Sequence, residues 1–203
     1  MIIIINISNI IVMTLFDIFY LLDTIFIDNN INKIIYLYYN DFFDYSIKPK
    51  NKDNLLKILT KMIEEEIIDV KMNKEIKSYD FINKYLPDIS IYNYLQRIHK
   101  YYNCSQSSYI IASIYLNKLM TYTNITFNKY NIHAIIITSF TLAVIYNEDY
   151  YYSNLYYAQV GGINTKNLNK YIIKYCNHIN YDLYVSPEEV FDTLLLYIKY
   201  KKD

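Results

Sequence analysis

Residues Ile132–Tyr146, IHAIIITSFTLAVIY, decide the fold of this chain. The stretch holds no charged residue, and apolar side chains occupy nearly every angular position around a helix. A helix that is apolar all round is buried on all sides, and this one is too short for the roughly 20 residues that cross a bilayer. Something must surround it. The amphipathic segments on either side are the available wrapping, so the sequence predicts an all-α fold with a central helix caged by others.

Upstream, Leu55, Ile58, Leu59, Met62 and Ile63 step by three and four, the stripe of an amphipathic helix, with Glu64 to Glu66 on its solvated side. Pro87 interrupts the pattern. Ser90 is placed to cap a helix carrying Ile91, Tyr94, Leu95 and Ile98, and a further helix starts near Ser105 and runs through Ile110, Ile114 and Leu119. Downstream, Ser153 or Asn154 caps a short helix stopped at Gly161-Gly162, a pair able to take the left-handed turn that ends a helix. Asn164 caps the next, with Leu168, Tyr171, Ile172, Tyr175 and Ile179 on one apolar face. Ser186-Pro187-Glu188-Glu189 combines a capping box with proline at the first helical position, and that helix ends in Lys199, Lys201 and Lys202, where cations suit its dipole.

Composition narrows the function. The 203 residues include 2 Gly, 27 Tyr and no Trp, with 20 Lys+Arg against 20 Asp+Glu. So few glycines exclude a dinucleotide fingerprint or a phosphate-cradling loop, which need backbone at positive φ or in close approach to a ligand. Zero net charge gives no basic face for nucleic acid, and a split of −4 over residues 1–47 against +4 over the remainder is too small to make one. Two cysteines, Cys104 and Cys176, make no disulfide framework and suit a reducing compartment, the nucleus and/or cytoplasm. Residues 1–53 read as an N-terminal apolar segment and a polar linker, and residues 54–203 as the main domain. Ile2–Ile27 carries Asp17 and Asp23 and has no basic residue ahead of its apolar run, which favours packing over a membrane anchor or signal peptide, although tethering through residues 2–27 stays open.

Several strings carry a resemblance. They are Pro87-Asp88-Ile89-Ser90-Ile91 leading into Tyr94-Leu95-Gln96-Arg97-Ile98; Cys104-Ser105 followed by Ile114-Tyr115-Leu116-Asn117-Lys118-Leu119; Asn131-Ile132-His133 with Ile137-Thr138-Ser139; and Tyr156-Tyr157-Ala158-Gln159-Val160-Gly161-Gly162-Ile163 with Leu168-Asn169. In these strings the chain resembles the P-type or U-type (phosphate-pathway-like) cyclins over roughly Asn54 to Tyr197. The only arginine, Arg97, and the only glycine pair both fall inside them. The resemblance implies a single cyclin box of five helices with a buried third, plus flanking helices. It also implies a regulatory subunit that performs no chemistry itself and binds a cyclin-dependent protein kinase through its third and fifth helices, regulating cell division or a related signalling process. The matching positions are Leu142, Ile145 and Tyr146 on the third helix and Ile172, Ile173 and Cys176 on the fifth. Arg97, Asn117, Gly161 and Gly162 are the matching structural positions, with Arg97 expected to bond Asn117 and tie two helices together.

The chain departs from that family at telling places. The resemblance implies a lysine near the end of the third helix and a glutamate in the fifth, where this sequence has Ile145 and Ile172. The second-helix aspartate is Asn117, and the arginine after the third-helix histidine is Ala134. Losing one member of a buried ion pair strands a charge, whereas losing both leaves an apolar pair that can be neutral. Two readings follow: a divergent working cyclin, or a pseudo-cyclin that binds a partner without activating a kinase. On spacing alone Leu142, Ile145, Tyr146 and Ile172 are equally ordinary core. His99, His133 and His178 with the two cysteines lack zinc-like spacing, and no nucleophile motif accompanies them, so no metal, cofactor or catalytic residue is expected.

Overall fold

A computed structural model describes residues 50–69, 80–82 and 86–202. The apolar segment 2–27 and most of the linker lie outside these residues. Among the described residues every regular element is a helix: α1 (Lys50–Glu65), α2 (Ile91–Tyr102), α3 (Gln106–Tyr122), α4 (Ile132–Asn147), α5 (Asn154–Gly161), α6 (Thr165–His178) and α7 (Pro187–Lys202).

The centre is α4, as its sequence requires. Every residue from Ile132 to Val144 is buried. It packs most extensively against α3, then against α6, α5 and α2, while α3 also packs on α7. Its hydroxyls add no orphaned groups, because Thr138 and Thr141 donate to the carbonyls of Ala134 and Ile137 within the helix, and Ser139 donates across to Ala112 O at 2.7 Å. Buried Asn131 secures the entry to α4. Its Oδ1 accepts from Asn128 N, and its Nδ2 donates to Thr126 O.

Helix ends follow local chemistry. Ser90, Ser153 and Asn164 accept from the backbone N–H three residues on. Ser186 and Glu189 exchange bonds, with Ser186 N donating to Glu189 Oε2 at 2.7 Å and Glu189 N donating to Ser186 Oγ at 3.2 Å, a complete capping box. After α5, Gly162 takes φ +68, and its N–H and that of Ile163 donate to Gln159 O and Ala158 O, the pattern of a Schellman stop.

Gly161 has a different task from its neighbour. It is helical and buried, and a Cβ there would lie 2.7 Å from Ile137 Cγ1 and 3.3 Å from the Tyr94 hydroxyl. Tyr94 donates that hydroxyl to Gly161 O at 3.0 Å. The missing side chain therefore lets α5 close onto α4 and α2 together.

Phe81 is a plug against α6. Its ring is fully buried among Tyr171, Tyr175 and His178, with the backbone at φ +66. Burying a phenylalanine contributes about 2 kcal/mol, enough to offset the roughly 1–2 kcal/mol that a left-handed conformation costs. Next to it Asp80 forms an ion pair with Lys174 and a hydrogen bond with His178.

Candidate functional site

The six residues matched to a partner surface fall on two helices that pack together, α4 and α6, and they divide by depth. Leu142 and Cys176 are buried, Ile145 and Ile172 are half-buried, and Tyr146 and Ile173 are 48% and 58% exposed. The division follows helical geometry. Along α4 the buried body ends at Val144, and Ile145 and Tyr146 emerge in its last turn. Along α6 Leu168, Tyr171, Tyr175 and Cys176 turn inward, leaving Ile172 and Ile173 toward the open side.

Tyr115 of α3 ties the end of α4 to the stretch that follows α6. Its ring meets Tyr146 edge-on at 6.4 Å, and its hydroxyl donates to Leu183 O at 2.9 Å. Burial first, and then the nearby Tyr146, Tyr175 and Cys176, push that hydroxyl well above the ordinary tyrosine range. It stays neutral. The C-terminal end of α4 and the stretch after α6 thus share one aromatic support.

Sequence reasoning missed a second exposed apolar stretch, which follows α4 in the chain. Tyr150, Tyr151, Tyr152 and Leu155 are all exposed, Tyr150 almost entirely, and the Asn154 side-chain amide donates to Asn169 Oδ1 at 2.8 Å, drawing the start of α5 against α6. Its only signal was three consecutive tyrosines between two capped helices, a pattern hard to weigh in so tyrosine-rich a chain.

The structural set is corrected at one point. Arg97 does not bond Asn117: its Nη2 donates to Gln159 O at 3.1 Å, in the last turn of α5, beside Gly162. The carbonyl end of a helix is the negative end of its dipole, so the lone guanidinium has a partner there. Asn117 faces the other way, into a cleft lined by Leu59 and Met62 of α1 and Leu196 of α7. Arg97, Gly161 and Gly162 therefore form one junction, and Asn117 is not part of it.

The cysteines and histidines are engaged structurally. Burial, then the Glu148 carboxylate, pushes the Cys104 thiol up to about 12, and burial raises Cys176 as well, so neither is a thiolate at neutral pH. His133 contacts Ile89 O at 2.9 Å, His99 contacts the Tyr109 hydroxyl at 2.6 Å, and His178 contacts Asp80. Among the described residues no three His, Cys, Asp or Glu side chains are grouped to hold a metal, and no helix is long and apolar enough to cross a membrane.

Comparison with known proteins agrees with this architecture. A family model described as Cyclin matches residues 47–183. The chain is 39% identical over 102 residues to Cyclin-U4-1 of Arabidopsis thaliana, a match covering 50% of this chain and 50% of that protein. It is 39% identical over 102 residues to Cyclin-P4-1 of Oryza sativa subsp. japonica, covering 50% and 48%. A longer match, 27% identical over 158 residues, covers 72% of this chain and 69% of Cyclin-U2-2 of Arabidopsis thaliana. In the first two matches the chain spans about half the length of its relatives.

Proposed function

This chain belongs to the cyclin family, and on that premise we propose that it is a regulatory subunit that docks a cyclin-dependent protein kinase through α4 and α6. The observation that carries the reading is the exposure of Tyr146 and Ile173, next to half-buried Ile145 and Ile172, on two packed helices whose remaining apolar side chains are inside. Exposed Tyr146 and Ile173 offer apolar area that gains from being covered. Docking there would press on the kinase helix whose glutamate must pair with the ATP-positioning lysine, and so move it into place. The cyclin supplies surface and no chemistry.

A second reading rests on Ile145 and Ile172. Where the family resemblance implies a charged pair, two half-buried isoleucines stand, which suits a pseudo-cyclin that binds without activating. Purified chain mixed with a panel of cyclin-dependent kinases separates the two when complex formation and phosphate transfer are both measured. Binding with stimulation supports the working cyclin, binding alone supports the pseudo-cyclin, and no binding to any kinase sinks kinase docking through α4 and α6. Ile145→Lys, which sets an unpaired charge against the partner, should weaken the complex by about tenfold or more, and Ile145→Lys with Ile172→Glu should recover part of that loss. Absence of any recovery would show that the two positions do not act as a pair.

A further inference from the structure

We propose that Glu148 is a positioning residue that fixes the exposed end of α4, and with it Ile145 and Tyr146, by gathering the first turn of α3 onto one carboxylate oxygen. The inference rests on the docking surface proposed above and goes beyond it by naming what holds that surface in shape.

Glu148 is the residue at which α4 stops. Its backbone is extended, yet its N–H still donates to Val144 O at 2.9 Å, so the side chain is tied to the last turn. Its Oε1 then accepts three bonds from the start of α3: Ser105 N at 2.8 Å, Ser105 Oγ at 2.6 Å and Ser108 Oγ at 2.5 Å. The neighbouring Asn147 amide adds to the same cluster, lying 2.9 Å from Ser107 Oγ and 3.1 Å from the hydroxyls of Ser105 and Ser108. Burial alone would push this carboxyl up, but the bonds from Ser105, Ser108 and Asn147 outweigh it and hold the group below the ordinary carboxylate range. The acid is therefore ionised at neutral pH, at the positive end of the α3 dipole.

Ser105 occupies the N-cap position of α3 but makes no capping bond of its own. Its hydroxyl is turned to Glu148 instead, so the helix start is satisfied from another helix more than forty residues along the chain. An ordinary helix end frays, because its last carbonyls lack partners. Here the fraying turn is the one that carries Ile145 and Tyr146. Clamping it in advance removes ordering that a partner would otherwise have to impose on binding.

The test uses the full chain and the kinase identified by the mixing experiment. Glu148→Gln keeps the shape and removes the charge, Ser105→Ala with Ser108→Ala removes the donors, and Ser113→Ala is the control, since it breaks a buried hydroxyl bond to Tyr197 on the α7 side. Glu148→Gln should lower kinase affinity about tenfold. The serine pair should match it, and combining all three changes should add nothing further, since both act on one network. Hydrogen exchange of the amides of residues 143–149 should quicken in Glu148→Gln and not in Ser113→Ala. The inference is overturned if Glu148→Gln loses no more affinity than Ser113→Ala, if the effects simply add, or if exchange at 143–149 is unchanged. A wild-type chain that binds no kinase overturns the docking reading itself, a result that none of the variant comparisons can mimic.

Discussion

One helix, α4, serves two regions with opposite tolerances. Midway along it, Ile137 meets Gly161 so closely that no Cβ fits, while Tyr94 and Arg97 of α2 bond the carbonyls of Gly161 and Gln159 in the last turn of α5. At its end, Ile145 and Tyr146 stand half-buried and exposed with nothing packed outside them among the described residues. Both places are isoleucine-rich. What separates them is the neighbour: a glycine-capped helix stop at one, and an open face shared with α6 at the other. Substitutions at the junction should therefore cost stability and leave affinity per folded molecule unchanged, and substitutions on the face should do the reverse.

The largest effect is expected at the junction. Gly161→Val drives a branched side chain into the buried Ile137 and the Tyr94 hydroxyl, and neither can retreat into solvent. It should cost about 3 kcal/mol or more, lowering the melting temperature by roughly 10 °C for a chain of this size. Gly162→Ala, at the next position, meets only Arg97 Nη1 at 3.9 Å, an ordinary contact, and pays only for its left-handed backbone, about 1 kcal/mol. Thermal and urea unfolding of the two variants check the ranking. Equal losses would mean that the close approach of α5 to α4 does not constrain the fold as these distances require.

How far such contacts could be read in advance depends on their range along the chain. The buried length of α4 was legible because a helix apolar on every side has one reading, and the caps Ser90, Ser153, Asn164 and Ser186 were legible because each partner lies within three residues. Arg97 was recognisable as special, being alone, but its partner sits 62 positions away and composition cannot choose between Gln159 and Asn117. Lys118 was passed over entirely. It lay inside a recognised string, yet nothing local shows that this lysine is buried on α3, with Asp182 Oδ2 at 3.0 Å and Glu189 Oε1 at 3.3 Å, and with the carbonyls of Asp182 and Tyr184 as further acceptors. It ties the stretch between α6 and α7, and the start of α7, to the core. Lys118→Met removes the cation and keeps the stem. Because Asp182 and Glu189 are each about a third exposed and can be rehydrated, the cost should be about 2 kcal/mol rather than the 3–5 kcal/mol of a fully enclosed pair. Unfolding measurements should place this variant between the two glycine variants, with kinase affinity unchanged.

The smallest expected effect, a dependence of stability on pH, sharpens the same contrast, because one histidine lies at the junction and another on α6. At the junction His133 packs edge-on against the Tyr94 ring at 4.9 Å, and burial lowers its pKa despite the contact with Ile89 O. On α6, His178 sits by Asp80, and it too is lowered, by burial first and then by Lys174, which engages the same carboxylate. A histidine whose folded pKa lies below its unfolded value binds fewer protons in the native state. Its contribution is therefore intact above about pH 6.5 and is lost as pH falls through that value toward the folded pKa. Stability measured by urea unfolding should decline between about pH 7 and pH 5, and His133→Asn and His178→Asn should each flatten part of that decline. Because Asp80 partly compensates a charged imidazole at 178, whereas His133 faces a tyrosine ring and a carbonyl, the flattening should be greater for His133→Asn. A larger change at His178 would place the more proton-sensitive packing on α6 rather than at the junction.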